Sequence, residues 1–263
     1  MSRISPGPIV VEFVGRAPLL ARRGMTGATG NIYVGLHDFE DTSFVAHVLR
    51  PDELFIDVGA NIGSYTILAA SVPGARCVSF EPVPATFAAI QENVRLNDLS
   101  GHVDLRPVAV GAAQGTMRMT MGYDTGNHVA TAGDDQTADV PIVSLDDATG
   151  DIASTCLLKI DVEGFETELL SGARGIIGNP MLLAVLMETN QSGDAYGERG
   201  DTAHQHLLAR GVRPFTCSPF DRRLHGLGDR STPYGNTIYV RDTTAVAARL
   251  TAAATFDVIG ISL

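Results

Sequence analysis

The chain has 263 residues and a formal net charge of −11 at pH 7, and it contains no tryptophan. This length and its many aliphatic residues predict a folded domain with a substantial core, while the acidic balance argues against a nucleic-acid partner, which would need clustered lysine and arginine. No basic-then-apolar leader opens the chain, no apolar run reaches membrane-spanning length, and the cysteines are odd in number and widely spaced. The sequence therefore predicts a cytoplasmic protein without a membrane partner, a disulfide framework or a zinc site.

Residues 1–50 show no regular alternation of strand and helix patterns. This irregularity predicts a cap or lid over a main domain rather than an independent domain. A glycine-rich patch at residues 24–30 precedes a short predicted strand at residues 32–34. A helix is predicted at residues 43–49, and Pro51 ends it because the residue before a proline disfavours helical backbone.

Between residues 51 and 242, apolar runs alternate with helical patterns, which predicts an α/β domain built on a doubly wound, mostly parallel sheet. The predicted helices include residues 64–70 and the segment after Pro84. A C-terminal tail, residues 243–263, contains an alanine-rich helix candidate at 244–254. The predicted strands are residues 54–58, 77–80, 103–110, 157–160, 182–187 and 237–240.

An insertion at about residues 112–145 interrupts the alternation. Met117, Met119 and Met121 alternate with polar residues, and a second apolar run covers residues 140–143. The period of two predicts a β-hairpin or an extension of the sheet. The methionines either line an apolar pocket or pack into the core.

A glycine turn follows the first strand of the sheet. The strand leads through Asp57 into a Gly-x-Asn-x-Gly turn of Gly59, Asn61 and Gly63, and a helix begins at Ser64. Such a turn brings backbone close to a ligand, and the N–H groups after Gly63 suit a carboxylate. A dinucleotide site favours a small residue where Asn61 stands, so the turn favours S-adenosyl-L-methionine.

Residues at the ends of the next strands complete a predicted cofactor site. Glu81 lies about twenty residues after the turn at a strand tip, where a carboxylate accepts hydrogen bonds from both ribose hydroxyls. A charge that merely flanks a helix is the alternative. Ala109 and Val110, at the end of the third strand, are expected to line the adenine.

A second dense segment runs from Lys159 to Glu166. Strand alternation places Lys159, Asp161 and Glu163 on one side, provided that the extended backbone continues so far. A lysine inside a buried sheet must be paired, and Asp161, Glu163 or Glu188 could pair with it. Two readings stay open, namely a structural ion pair and a reaction centre that contains Asp161.

Together these segments resemble the FkbM family of S-adenosylmethionine-dependent methyltransferases over roughly residues 30–240. The resemblance implies a class I methyltransferase fold, with a seven-stranded, Rossmann-like sheet whose last strand is antiparallel. It also implies methylation of a hydroxyl on a specialised metabolite or a sugar, as in natural product biosynthesis, with S-adenosyl-L-homocysteine as product. The motifs are Asp57 to Gly63, Phe80-Glu81-Pro82, Lys159 to Glu166 and Met187-Glu188.

Methylation of a hydroxyl needs a base that removes its proton as the oxygen attacks. The candidates are Asp161, Glu188 and His128, the last in the polar loop of the insertion. A divalent metal on Asp161, Glu163 and Glu188 is the less expected case, because Lys159 would compete for those carboxylates.

Several alternatives stay open at this point. The rivals are an N-methyl or carboxyl methyltransferase of the same fold, a nicotinamide oxidoreductase, and a non-catalytic cofactor-binding protein. Asn61 argues against the oxidoreductase, while Asp161 and Glu188 favour an enzyme. The expected partner is a small-molecule acceptor, with a homodimer as an open alternative, and no motif identifies the acceptor.

Overall fold

The structure, a computed structural model, describes residues 7–15, 17–22, 30–31, 35–123, 126–189, 202–258 and 261–263. These residues form a large sheet, a three-stranded sheet and two two-stranded sheets. The strands are β1 (Ile9–Val14), β2 (Ala17–Ala21), β3 (Leu54–Val58), β4 (Arg76–Phe80), β5 (Val103–Arg106), β6 (Ala109–Gly111), β7 (Gly115–Thr120), β8 (Thr137–Ser144), β9 (Cys156–Ile160), β10 (Leu182–Glu188), β11 (Arg213–Ser218), β12 (Arg223–Gly226), β13 (Asn236–Val240), β14 (Asp257–Val258) and β15 (Ile261–Ser262).

Helices cover both faces of the large sheet. They are α1 (Phe39–Val48), α2 (Ser64–Ser71), α3 (Pro84–Leu96), α4 (Leu145–Thr149), α5 (Glu166–Ser171), α6 (Arg174–Gly178), α7 (Thr202–Ala209) and α8 (Thr243–Thr251). None of the helices in the described ranges is long and apolar enough to cross a membrane.

The large sheet has the strand order β12-β11-β13-β10-β9-β3-β4-β5. The five strands from β10 to β5 are parallel, whereas β13 is antiparallel to both of its neighbours. Since β3 lies between β4 and β9, the chain reverses its direction of winding at β3, and ligands bind beside such a switch point. The predicted α/β fold class and the antiparallel last strand are confirmed.

Two details of the predicted sheet are wrong. The sheet of the described residues has eight strands rather than seven, because β12 pairs with β11 as a hairpin. Its residues are mostly exposed, so no apolar run marked it. The predicted strand at residues 103–110 is two strands, because Pro107 has no N–H for a sheet ladder and the chain leaves for the smaller sheet at Ala109.

Successive residues of each central strand enter different apolar clusters. Phe55 and Leu157 belong to a cluster on one face, and Ile56 and Leu158 belong to the cluster on the other face. The first cluster includes side chains of α1, α2, α3 and α8, and the second includes side chains of α4, α5, α6 and α7. This burial on both faces explains why these strands read as continuous apolar runs.

The three-stranded sheet has the order β6-β8-β7, so its two longer strands form the β insertion. Met117, Met119 and Met121 pack against an apolar cluster of Ala109, Val140 and Ile142. The methionines therefore contribute to packing, and two of them also reach the cavity described below.

The ends of the chain pack against the large domain. The hairpin β1-β2, which the sequence did not predict, contacts α3, where the Leu20 N–H donates to Asn93 Oδ1 at 2.7 Å. Helix α1 begins at Phe39 rather than at residue 43. Helix α8 lies against α1, and Arg249 binds Glu53 at 2.7 Å. The predicted strand at residues 32–34 and residues 24–29 of the glycine-rich patch lie outside the described residues.

Candidate active site

A cavity of about 380 Å³ opens beyond the carboxyl ends of the central strands, within the size range of small-molecule sites. Segments before and within α1 and parts of the β insertion also contribute to its lining. Eight of the predicted site residues line it, namely Gly59, Asn61, Ser64, Glu81, Ala109, Val110, Asp161 and Glu188. Three others, Asp57, Gly63 and His128, do not line it.

The turn after β3 has the tight backbone that its glycines predicted. Gly59 has a φ of +77°, and a Cβ atom there would lie 1.8 Å from the backbone oxygen of Asp161. Asn61 also has a left-handed backbone, with φ of +51°, and its side-chain oxygen accepts the N–H of Ile62 at 2.8 Å. The side chain of Asn61 therefore stabilises the turn itself, and close strand packing is what requires glycine at position 59.

Helix α2 begins at the cavity wall without a side-chain cap. The N–H groups of its first turn have no partner inside the helix, so they are available to an anionic group. Gly63 supplies the left-handed N-cap residue, with φ of +92°, and lies behind the lining. Ser64 Oγ accepts a hydrogen bond from Asn31 Nδ2 at 3.0 Å, which joins the helix start to the N-terminal segment.

Asp57 supports the turn from inside the sheet. Its side chain is fully buried and accepts a hydrogen bond from Thr66 Oγ1 at 2.7 Å. Burial raises the pKa of Asp57, and the nearby Lys159 opposes that rise. Asp57 is thus not among the residues that line the cavity, and its contacts are with Lys159 and with Thr66 of helix α2.

Glu81 is buried in the cavity wall at the end of β4. Its two carboxylate oxygens accept the backbone N–H groups of Asn61, at 3.0 Å, and of Val83, at 2.8 Å. Burial raises the pKa of Glu81 to about 7, although both hydrogen bonds act in the opposite direction. A carboxylate offers about four acceptor sites, so Glu81 can accept two further donors.

Lys159 lies at the centre of a buried charge network. Its Nζ is 3.1 Å from Asp161 Oδ2 and 3.8 Å from Asp57 Oδ1, and it lies 4.9 Å from the centre of the Tyr65 ring. Burial lowers the pKa of Lys159, but Asp161 and Asp57 more than offset this and raise it overall. Lys159 is therefore a cation that holds two carboxylates.

Asp161, Glu163 and Glu188 form an acidic group in the lining of the cavity. One oxygen from each lies within 4.8 Å of the others, so the group could hold a cation. Strand β9 ends at Ile160, and Glu163 has a left-handed backbone with φ of +50°. Asp161 and Glu163 thus reach the cavity from a turn and not from a continuing strand.

His128 lies apart from these carboxylates. Its Nδ1 is 2.9 Å from the carbonyl oxygen of Gly126, and its Nε2 is 3.6 Å from Asp134. Its neighbours Asn127 and Val129 line the cavity instead. The structure does not bring His128 together with Asp161, because the loop turns its ring toward Asp134.

Sequence patterns missed several residues that line the cavity. The Tyr65 hydroxyl donates to Asp38 Oδ2 at 3.4 Å, and Asn236 Nδ2 donates to Asp41 Oδ2 at 3.0 Å. Burial raises the pKa of Asp41 to about 7, an effect that the hydrogen bond from Asn236 opposes. Tyr65, next to Ser64 in the glycine motif, could have been found from its position, whereas the contact between Asp41 and Asn236 spans 195 residues.

Comparison with known proteins gives a family match. A family model described as a methyltransferase FkbM domain matches residues 57–210. The chain is 30% identical over 197 residues to 31-O-demethyl-FK506 methyltransferase FkbM of Streptomyces tacrolimicus, covering 61% of this chain and 75% of that protein. It is 29% identical over 134 residues to hexuronic acid methyltransferase AglP of Haloferax volcanii, covering 46% of this chain and 50% of that protein.

Solved structures of low sequence identity also match. The precorrin-6y C5,15-methyltransferase of Geobacter metallireducens superposes with a TM-score of 0.45 at 13% identity, over 78% of this chain and 88% of that chain. The protein TYW2 of P. horikoshii, solved in complex with MeSAdo, gives a TM-score of 0.44 at 15% identity. That match covers 90% of this chain and 70% of that chain.

Proposed function

This chain belongs to the FkbM family of methyltransferases, and from that membership we propose that it transfers the methyl group of S-adenosyl-L-methionine to a hydroxyl group of a small molecule. One observation carries the proposal. The glycine turn and Glu81 share a single cavity with the carboxylates of Asp161 and Glu188. Residues suited to a cofactor and residues suited to acid–base chemistry therefore line one cavity of small-molecule size, and they are called the cofactor side and the acid–base side.

The residues of the cofactor side fit S-adenosylmethionine. Glu81 would accept both ribose hydroxyls, and the uncapped start of α2 would bind the carboxylate of the methionine portion. Val83, Ala109 and Val110 give the adenine an apolar wall. When bound, the cofactor supplies a methyl group on a positively charged sulfur, and S-adenosyl-L-homocysteine is the product that leaves.

Asp161 is the base that we favour. Its backbone oxygen packs against Gly59 in the cofactor turn, and its carboxylate is held by Lys159. The acceptor oxygen forms the new O–C bond as the S–C bond breaks, and the electron pair of that bond stays on sulfur. The hydroxyl proton passes to Asp161, or to Glu188 on the neighbouring strand, while His128 has no direct part.

A divalent metal is not required in this proposal. Lys159 Nζ already lies 3.1 Å from Asp161, so a metal at the acidic group would meet a buried cation. The net charge of −11 argues further against a nucleic-acid acceptor. The names of two relatives specify 31-O-demethyl-FK506 and hexuronic acid as acceptors, which supports a small-molecule acceptor here as well.

The proposal is tested by methyl transfer from cofactor labelled with tritium in the methyl group, supplied to a panel of hydroxyl, amine and carboxyl compounds. We expect label in products that resist mild alkali, because methyl ethers survive it and methyl esters release methanol. Label that appears only in alkali-labile esters would contradict methylation of a hydroxyl.

The same assay tests the base. Asp161→Asn should lower turnover on the order of a hundredfold or more with little change in cofactor affinity, because the amide cannot accept the proton. His128→Ala serves as the matched control and should retain turnover close to that of the wild type. Full activity of Asp161→Asn would remove this assignment, and Glu188→Gln would then identify the alternative carboxylate.

A further inference from the structure

Two exposed aromatic side chains lie at the edge of the sheet where the cavity opens. Phe220 and Tyr234, at 71% and 88%, are the most exposed aromatic side chains among the described residues. Strands β10 and β11 are both antiparallel to β13, so β11 ends at the same edge as Glu188, and Phe220 follows that end. Tyr234 precedes β13, which starts at this edge because Asn236 is opposite Glu188. Both residues therefore lie at the end of the sheet that carries the acid–base side.

Helix α1 brings a third aromatic ring to this edge. The ring centroids of Phe39 and Phe220 are 5.5 Å apart and the rings are inclined by 42°, a tilted geometry that aromatic pairs favour. One turn of helix also reaches β13, because Asp41 accepts a hydrogen bond from Asn236 at 3.0 Å. The first turn of α1 thus contacts both the turn after β11 and the start of β13.

Phe39, Phe220 and Tyr234 are called the aromatic rim, and the rim is continuous with the cavity. Asp38 and Gly235, the sequence neighbours of Phe39 and Tyr234, both line the cavity. A ligand group that leaves the cavity at this end would therefore meet aromatic surface. Removing such surface from water is favourable, and flat rings pack on aromatic side chains in offset or edge-to-face arrangements.

The volume of the cavity indicates that the acceptor extends beyond it. Small-molecule sites have volumes of about 300–1,000 Å³, and this cavity has about 380 Å³. The proposed cofactor is itself a ligand of drug size, so it fills most of that volume. A hydroxyl group can still reach the carboxylates of the acid–base side, but the rest of the acceptor has to lie outside the cavity.

We propose that the methyl acceptor is larger than the cavity and carries an apolar ring system, which lies on the aromatic rim while its hydroxyl group reaches Asp161. This inference rests on the proposed function, because a methyl acceptor has to place its hydroxyl on the acid–base side. Phe220 and Tyr234 are then specificity residues for the part of the acceptor that does not react. A compact, wholly polar acceptor would leave the rim unused.

The test measures how much a second ring adds to the affinity of an alcohol. Benzyl alcohol is compared with 4-phenylbenzyl alcohol, and cyclohexanol with 4-cyclohexylcyclohexanol, by ligand-observed NMR on protein saturated with S-adenosyl-L-homocysteine. In both pairs we expect the second ring to raise the affinity about tenfold or more, because it leaves water and packs against the rim.

Variants locate this gain in affinity. The double variant Phe220→Ser with Tyr234→Ser should lose most of the gain, and each single variant should lose part of it. Both positions are exposed, so the double variant should melt close to the wild-type temperature, and the single variants carry the comparison if it does not. Two controls should retain the gain, namely Tyr123→Ser, at an exposed ring of the β insertion, and Met181→Ser, at the opposite edge of the sheet.

Four outcomes would overturn the inference. Three concern the gain itself, namely no gain from the second ring, a gain that survives the double variant, and an equal loss of the gain in either control. The fourth is self-association of the wild type in sedimentation that the double variant abolishes, which would assign the rim to a contact between copies of the chain. The affinity for S-adenosyl-L-homocysteine, measured on the same samples, separates the two claims. Its absence in the wild type contradicts the proposed function, and its retention confines a failure to the rim.

Discussion

At the scale of single residues, Lys159 organises the site. It is almost fully buried between Asp57 and Asp161, and it is the single lysine of the chain. A buried charge that loses its partner is far more costly than the pair is stabilising. We therefore expect Lys159 to stabilise the fold and to hold the carboxylate of Asp161 at the cavity.

This role predicts the behaviour of Lys159→Met. The variant should lose about 3–5 kcal/mol of unfolding free energy, because Asp57 is left in a fully buried position without the cation beside it. Urea unfolding measures the loss. The second substitution Asp57→Asn should recover part of it, and Arg118→Met, which breaks an exposed pair with Asp139, should cost less than about 1 kcal/mol. A loss in Lys159→Met no larger than in Arg118→Met would contradict the network.

At the scale of elements, the turn after β3 joins the cofactor side to the catalytic side. Gly59 packs its Cα against the carbonyl of Asp161, so the turn and the end of β9 approach without room for a side chain. A shift of this turn would move both the cofactor site and Asp161. The close contact thus couples the two halves of the cavity.

Gly59→Ala should therefore lower the unfolding free energy by more than about 4 kcal/mol, or prevent folding, because it combines a left-handed backbone with a backbone collision. Gly211→Ala is the matched control. Gly211 has a similar φ of +82° but no atom within 4 Å of its added Cβ, so its cost should be about 1–2 kcal/mol. Similar denaturation midpoints for the two variants would show that the collision with Asp161 is unimportant.

The elements that the sequence predicted well are those whose signal is local. Strand β9 was predicted at residues 157–160 because all of its residues are buried and all except Lys159 are apolar. Asp161 and Glu163 were expected on one side through strand alternation, yet they reach the cavity through a turn that alternation does not describe. Both side chains do line the cavity, but a turn brings them there and not an extended strand.

The elements that the sequence missed depend on distant partners. Strand β12 is mostly exposed, and its backbone pairing with β11 is what makes it a strand of the sheet. The side chain of Asn236 is hydrogen-bonded to Asp41, which lies 195 residues away in the sequence, and no periodicity links the two positions. His128 was predicted as a base because of the acid–base chemistry of histidine. It lies in a loop, and a loop sequence has no periodicity that predicts the direction of its side chains. Tertiary contacts therefore decide the acceptor side, whereas the residues of the proposed cofactor side lie at strand ends that local sequence patterns predict.

At the scale of the whole molecule, two buried carboxyl groups, Glu81 in the cavity wall and Asp41 beside Asn236, make the stability depend on pH. Glu81 and Asp41 have pKa values of about 7 in the folded protein, against ordinary values of 4.5 and 3.8, because burial disfavours their charged forms. The folded state keeps these protons at pH values where the unfolded chain has released them. Their contribution to the unfolding free energy therefore falls as the pH rises from about 4 to about 7.

A double variant tests whether Glu81 and Asp41 cause this pH dependence of the unfolding free energy. Glu81→Gln with Asp41→Asn removes both ionisations, so its unfolding free energy relative to the wild type should be more favourable at pH 8 than at pH 5. Urea titrations of the ligand-free proteins at the two pH values give the comparison, with Asp139→Asn as the exposed-carboxylate control. A relative stability that does not change with pH would show that these two groups titrate normally.

The central claim is that Glu81 and the glycine turn form a site for S-adenosylmethionine. Calorimetric titration of S-adenosyl-L-homocysteine and of NAD into the wild type and Glu81→Ala tests it most directly. We predict that the wild type binds S-adenosyl-L-homocysteine and not NAD, and that Glu81→Ala loses about 1–3 kcal/mol of that binding, as expected for hydrogen bonds to a charged group. Binding of NAD in preference to S-adenosyl-L-homocysteine, or an unchanged affinity in Glu81→Ala, would contradict the claim.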